Sequence, residues 1–409
     1  MKVFIRAKTV SQVAEVANLH ERTEPIISEE DRRVVIADLP EDTIHNLSES
    51  DHFDVYDDIK FRPVASSGSG SPEEQVGDWW TRQRGAEAGP DDAAPWHTLS
   101  QRDVMEHIRA ADSWSFSRGS GVTIAVVDTG TDGSIREFPR RSPHSYGVVL
   151  PNVWEDKVGH GTMCAAIACG SDENGGRYNG VAPDATLLSA RTDLSSTDLY
   201  LIYQHLLREF SQGKFDKGLV VSNSYGLYRC APPDYREGHP YVDLVRACVR
   251  AGIVFVFAAG NNHGSAVCAF PETDDHPNTI WAVNSIDEVI TVGTVDWDEG
   301  NQRVDSEHAN SSRGPGQWST RVDKPDVVAP TYGEVAWGGR YERMEWWGTS
   351  GACPQVAGLA ALLRSQNPDL TPDEIRQIVR SSSRELPGKP QNCVGTGIID
   401  CAEAIQSIG

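Results

Sequence analysis

Residues 122–130 read VTIAVVDTG. An unbroken apolar run that ends on a carboxylate and a Thr-Gly turn has the form of a strand buried on both faces, and such strands belong to parallel sheets. Further along the chain, TMCAAIAC (162–169), LYLIYQHLL (199–207) and YVDLVRACVRAG (241–252) carry helical character. Between and after them, TLLSART (186–192), LVVSNSYG (219–226), IVFVFAAGN (253–261) and VITVGTV (289–295) read as strands. Strands alternating with helices require crossover connections, so the expected class is α/β: a mostly parallel sheet with helices on both faces over 95–409. Residues 1–63 read separately as a small α+β unit. KVFIRA and RVVIADL are strand-like, Val10, Val13, Ala14 and Ala17 share a helical face, PEDTIHNL is a short helix and HFDVYDDIKF is extended. The intervening 64–94 opens on ASSGSGSPEEQ (65–75), whose Gly, Ser and Pro content marks a flexible linker; the rest is polar and acidic apart from Trp79 and Trp80.

The chain has 409 residues and a formal charge of −22. Phosphate-backbone affinity comes from Lys and Arg, so this charge argues against a nucleic-acid partner. The longest apolar stretch, about Gly252 to Gly260, falls well short of the ~18 residues that cross a bilayer, so no membrane partner is expected. The opening MKVFIRAKTV interrupts its apolar triplet with Arg6 and Lys8, which is no secretory core; a cytoplasmic chain is the plainer expectation than a secreted one. Eight cysteines all lie beyond residue 163. Cys164, Cys169, Cys248 and Cys353 sit in apolar segments and read as buried thiols. Cys230 with Cys268, and Cys393 with Cys401, are pairs whose disulfide state the sequence leaves open.

Three polar residues punctuate these apolar segments. Asp128 closes a strand, and carboxyl ends of parallel strands are where sites gather. His160 lies between two glycines at the head of an apolar helix, and Ser350 in WWGTSGACPQVAG opens another. Taken singly, a turn cap, a structural histidine and a helix N-cap are the commoner roles. Taken together in the order Asp, His, Ser, the blocks DTGTD, HGTMCAA and GTSGACPQVAG resemble the active-site blocks of the subtilisin-like serine peptidases. GVAPDATLLSAR (180–191), VVSNSYG (220–226), VFAAGNN (256–262), SSRGP (311–315), KPDVVAP (324–330), LTPDEIRQIV and GTGIIDCAEAI extend the resemblance from about Trp96 to Ile405.

The resemblance implies a serine endopeptidase that hydrolyses peptide bonds through an acyl-enzyme. Ser350 would be the nucleophile, His160 its base and Asp128 the group that orients the imidazole. Asn261 would donate to the oxyanion, with the Ser350 backbone N–H as second donor. Substrate peptide would pair with Ser224, Tyr225 and Gly226, its primary pocket lying between that rim and Ala258, Ala259 and Gly260. The pocket floor falls in SAVCAFPETDD, where Asp274 and Asp275 read as surface acids. The chemistry needs no cofactor, though many relatives carry structural calcium; here Asp172, Glu173 and Asn174 offer oxygen ligands in a loop that is equally readable as solvated.

Several positions depart from the pattern. Gly351 replaces a common Met, Met163 and Gln355 replace common histidines, and Cys353 near the nucleophile reads as packing. Residues 1–63 resemble, less specifically, an inhibitory propeptide whose tail would lie in the cleft like a product strand. The chain would then cut itself between about Phe61 and Ala94 and carry its own propeptide as a partner. A pseudoprotease or protein-binding module, and a protease dedicated to maturing one peptide, are the alternatives.

Overall fold

The computed structural model describes residues 1–19, 25–63, 98–227, 229, 233–263, 279–298 and 303–409. The linker 64–94 with Trp79 and Trp80, Cys230, Cys268, and the pocket-floor segment with Asp274 and Asp275 lie outside the described residues.

The amino-terminal strands are β1 (Lys2–Ala7), β2 (Ile26–Ile27), β3 (Val34–Asp38) and β4 (Phe53–Asp57), in the antiparallel order β2-β3-β1-β4. Period-two alternation divides their side chains between two destinations. Val3, Ile5, Val35 and Ala37 meet Val13, Val16 and Leu47 in a core of the unit's own. Phe4, Val34 and Ile36 face the other way, into a core shared with the rest of the chain. The helical face is not the one expected. Thr9 caps a tight 3-10 turn at Val10–Gln12, which rotates the following helix Val13–Ala17 so that Val13 and Val16 turn inward while Val10 is exposed.

Two-residue β5 (Arg62–Pro63) follows. The large sheet comprises β6 (Thr123–Asp128), β7 (Thr186–Arg191), β8 (Leu219–Asn223), β10 (Val254–Ala258), β11 (Ile290–Asp298), β12 (Arg303–Glu307) and β13 (Val327–Pro330); the short β9 is Tyr225–Gly226. The order is β12-β11-β10-β8-β6-β7, with β13 beside β11, and every pairing is parallel except β11 with β12. The opening strand shows why it is apolar throughout. Ile124 and Val126 enter the core formed with helices His160–Cys169 and Gly348–Gln366. Ala125 and Val127 enter the opposite core, against helices Ser196–Ser211 and Pro240–Arg250. The antiparallel β12 and the hairpin β14 (Gly333–Trp337) with β15 (Arg340–Met344) are additions the alternation does not announce. Cys393 and Cys401 are not bonded to each other, since Cys401 is a free buried thiol, as are Cys164, Cys169, Cys248 and Cys353.

Candidate active site

Asp128 is the last residue of β6, so its side chain stands at the carboxyl edge of the sheet. His160 is the first residue of its helix, directly after Gly159. Gly159 holds φ +93°, and a Cβ there would strike the indole of Trp337, so both the conformation and the close approach require glycine. His160 Nδ1 lies 2.7 Å from Asp128 Oδ1, which also accepts the Thr129 N–H at 2.7 Å. Both side chains are buried. The acidic partner fixes Nδ1 as the protonated nitrogen and leaves Nε2 as the basic one. That Nε2 makes no hydrogen bond.

Ser350 is the third residue of the helix Gly348–Gln366, and the N–H groups of a helix's first turn have no intrahelical partner. Gly348 at φ +71° brings the backbone against Asn261, 2.8 Å from its Nδ2 to where a Cβ would stand. Asn261 Oδ1 accepts from Thr349 N at 3.2 Å and Thr349 Oγ1 at 3.0 Å, which fixes the rotation of the amide beside the serine. Pro354, four residues on from Ser350, has no N–H to give its carbonyl. That carbonyl accepts instead from Ser224 Oγ at 2.9 Å and Cys164 Sγ at 3.6 Å. In return Ser350 Oγ donates to Ser224 O at 3.2 Å and not to His160.

The other residues named from sequence gather here as well. Ser224 and Tyr225 follow β8, and Ala258 ends the neighbouring β10. Gly260 N–H donates to Thr349 Oγ1 at 3.2 Å. Asn284, which no motif singles out, ties the two walls together by donating from Nδ2 to Tyr225 O at 2.7 Å and Ala258 O at 2.8 Å. A second edge was also unforeseen. Leu194–Ser196 faces the rim across the cleft, and the tail of the amino-terminal unit lies between them. Phe61 N–H donates to Leu194 O at 2.9 Å and Ser196 N–H to Ile59 O at 2.7 Å, while Arg62 and Pro63 pair antiparallel with Gly226 and Tyr225. Phe61 is buried between Tyr225 and Tyr241, ring centroids 5.4 and 5.5 Å away. Asp58 Oδ1 accepts from Thr197 N and Ser196 Oγ, both at 2.9 Å, adding an acceptor at the start of helix Ser196–Ser211.

The departures from the pattern are packing, with a cause in each case. A Cβ on Gly351 would come within 2.7 Å of the Trp347 Cβ, so the indole occupies the space a longer side chain would need. Met163 is fully buried in the core, and Gln355 Nε2 donates to Pro330 O and Gly351 O. Cys353 Sγ donates to Val256 O, and burial pushes its thiol up to about 11. Asp128, His160 and Cys164 bring potential ligand atoms within 4.8 Å of one another. Burial and then the neighbouring Asp128 push the Cys164 thiol far up, so it sits there protonated. In the loop read for calcium, Glu173 is engaged by the Arg140 guanidinium and the Asp172 N–H donates to Asn179 Oδ1. A calcium ion would have to take Glu173 from Arg140, so the loop as it stands fits a divalent cation poorly.

A parallel sheet presenting an aspartate, a histidine and a helix-borne serine at its carboxyl edge defines a serine peptidase of the subtilisin type. Sequence comparison agrees, matching residues 119–397 to the profile of the subtilase family. The chain belongs to the subtilase family. It is 29% identical over 316 residues to the serine protease AprX of Bacillus subtilis, an alignment spanning 70% of this chain and 66% of AprX, just under two thirds of that relative. With mycosin-1 of Mycobacterium tuberculosis it shares 31% identity over 326 residues, 73% of this chain and 72% of the relative. Among solved structures, fervidolysin from Fervidobacterium pennivorans superimposes with a TM-score of 0.69, covering 99% of this chain and 60% of that one at 18% identity, which speaks to fold alone. Among the described residues, no helix is long and apolar enough to cross a membrane.

Proposed function

We propose that the chain is a working serine endopeptidase in which Ser350 attacks the scissile carbonyl. His160 Nε2 takes the hydroxyl proton and later delivers it to the leaving amine, while Asp128 holds the Nδ1–H and stabilises the imidazolium. Asn261 Nδ2 and the Ser350 N–H serve as oxyanion donors. The observation that carries this reading is the buried 2.7 Å Asp128–His160 bond at the sheet edge where the Ser350 helix begins. Before attack, Ser350 Oγ must rotate from the Ser224 carbonyl to His160; such bonds are often unmade until substrate arrives. A fluorophosphonate tests the reading directly. It labels the chain freed of residues 1–63 and fails to label Ser350→Ala; a folded, freed chain that resists the reagent altogether is the binding module instead.

Residues 1–63 act in this proposal as an internal inhibitor, with 64–94 as the linker and 95–409 as the catalytic domain. The support is the pairing of Arg62 and Pro63 on the rim that a substrate would use. Self-cleavage would then fall beyond Pro63, within 64–94, and the mass of the purified chain reads it. A Ser350→Ala chain that still loses its first 63 residues in purified form rules out self-processing. No cofactor enters the acyl transfer. A structural calcium at Asp172, Glu173 and Asn174 would require Glu173 to leave Arg140, so Arg140→Ala should enlarge the response of the melting temperature to calcium. A melting temperature that a chelator moves in neither protein ends that reading.

A further inference from the structure

One half-buried carboxylate beside the site has no part in the mechanism above. Asp156 lies four residues before His160, on the loop that leads into its helix. Five donors converge on it. Oδ1 accepts from Thr129 Oγ1 at 2.9 Å, Val158 N at 3.1 Å and Gly159 N at 2.8 Å. Oδ2 accepts from Thr162 N at 2.9 Å and Thr162 Oγ1 at 2.7 Å. The two threonines are themselves bound twice. Thr129 Oγ1 accepts the Gly161 N–H at 3.0 Å, and Thr162 Oγ1 accepts the Asp132 N–H at 2.9 Å. Thr129 is also the residue whose N–H reaches Asp128 Oδ1. A single carboxylate thus fastens the end of β6, which carries the acid, to the first turn of the helix that carries the base.

We propose that Asp156 is a positioning residue of the proteolytic site, holding His160 against Asp128 and placing a negative charge at the helix start under the imidazole. The second half of this role follows from where His160 stands. The first turn of a helix carries a positive partial charge, which disfavours the imidazolium that the base must become. An anion capping that same turn offsets it. Of the other groups near this point, Asp128 on β6 is the imidazole's own partner, Cys164 is protonated, and Asp132 is tied through its N–H to Thr162 Oγ1. Trp337 on β14 is uncharged and edge-on at 6.2 Å, and Glu155 is paired with Arg191. Lys157 is exposed on the same loop. Desolvation pushes the Asp156 carboxyl up and the nearby Asp128 adds to this, while the bonds from Thr162 and Gly159 work in the opposite direction.

The inference rests on the proteolytic reading, and the experiment separates the two. Wild type, Ser350→Ala, Asp156→Asn, Asp156→Glu and Thr162→Val full-length chains are labelled with a fluorophosphonate from pH 5 to 9, and their melting temperatures measured. Labelling of wild type with none in Ser350→Ala upholds the parent reading alone. Asp156→Asn is expected to label about tenfold or more slowly at neutral pH. Its acid limb is expected to shift to lower pH by about half a unit, because losing the anion makes the imidazolium harder to form. Asp156→Glu keeps the charge and should keep the wild-type midpoint even where its rate drops. Thr162→Val, which loses one donor and no charge, should slow labelling about threefold with the midpoint in place. With a fluorogenic peptide, the loss in Asp156→Asn should appear in kcat and not in KM, since Asp156 does not touch the rim. An unmoved acid limb in Asp156→Asn, or a rate loss matched by the fraction of chain unfolded, overturns the proposal.

Discussion

The two halves of the site stand in different states. In the half proposed for acid–base work, Asp128 and His160 are bonded to each other and buried. The half proposed to supply the nucleophile is not yet joined to it: Ser350 Oγ is bonded to Ser224, and His160 Nε2 has no partner among the described residues. What lies over the rim beside them is the chain's own tail. The difference teaches that the scaffold fixes the Asp128–His160 pair, whereas the serine hydroxyl is held by a single bond to Ser224 that it can exchange. Replacing either half should therefore fail in different ways. Ser350→Ala is the largest expected effect, a loss of about 10⁶ in kcat, and Asp128→Asn follows at about 10⁴ through the wrong tautomer. Titration of peptide hydrolysis checks both; comparable losses would mean that the halves are not distinct.

The occupant can be loosened without touching either half. Phe61→Ala removes a ring buried against Tyr225 and Tyr241, and inhibition by the processed amino-terminal unit should weaken about 10²-fold. A gentler lever is pH. His239 donates from Nε2 to Asp57 O at 2.9 Å, accepts the Tyr241 N–H at Nδ1, and packs on Phe4 and Tyr56. Desolvation, with the cations Arg6 and Arg236 nearby, lowers it from 6.5 to about 4. Phe4, Tyr56 and Asp57 of the amino-terminal unit supply part of that burial, so undocking should raise His239 back toward 6.5. A proton then favours the undocked form, so docking should weaken as pH falls below neutral, by at most about tenfold per unit. Gel filtration of the processed complex at pH 7 and 5 reads this, and His239→Asn should flatten the dependence. The smallest effect concerns Gly351: with no thioether beside Ser350, hydrogen peroxide should leave the initial rate nearly unchanged. Rapid inactivation traced to another residue would leave that expectation unsupported.

The legibility of the molecule follows the distance over which each feature is decided. Asp128, His160, Ser350 and Asn261 each sit in a short block whose glycines are needed on the spot, so a local reading of the sequence can single them out. The parallel core is legible for the same reason, since β6 is apolar at consecutive positions. Asn284 and Leu194–Ser196 matter because of partners far away in sequence, and no local pattern marks them. Arg140 engages Glu173 of the loop read for calcium from 33 residues away. The inward face of the first helix went astray through a single cap at Thr9.

The alternation along β1 and β3 has one more consequence. While docked, Phe4, Val34, Ile36, Ile59 and Phe61 lie in the shared core. Severed and released, the unit would carry these side chains as a bare apolar face, with only its own small core to hold it folded. A fragment of that kind is itself easy prey for a protease. Departure would then be one-way, and the enzyme would disarm its inhibitor by digesting it.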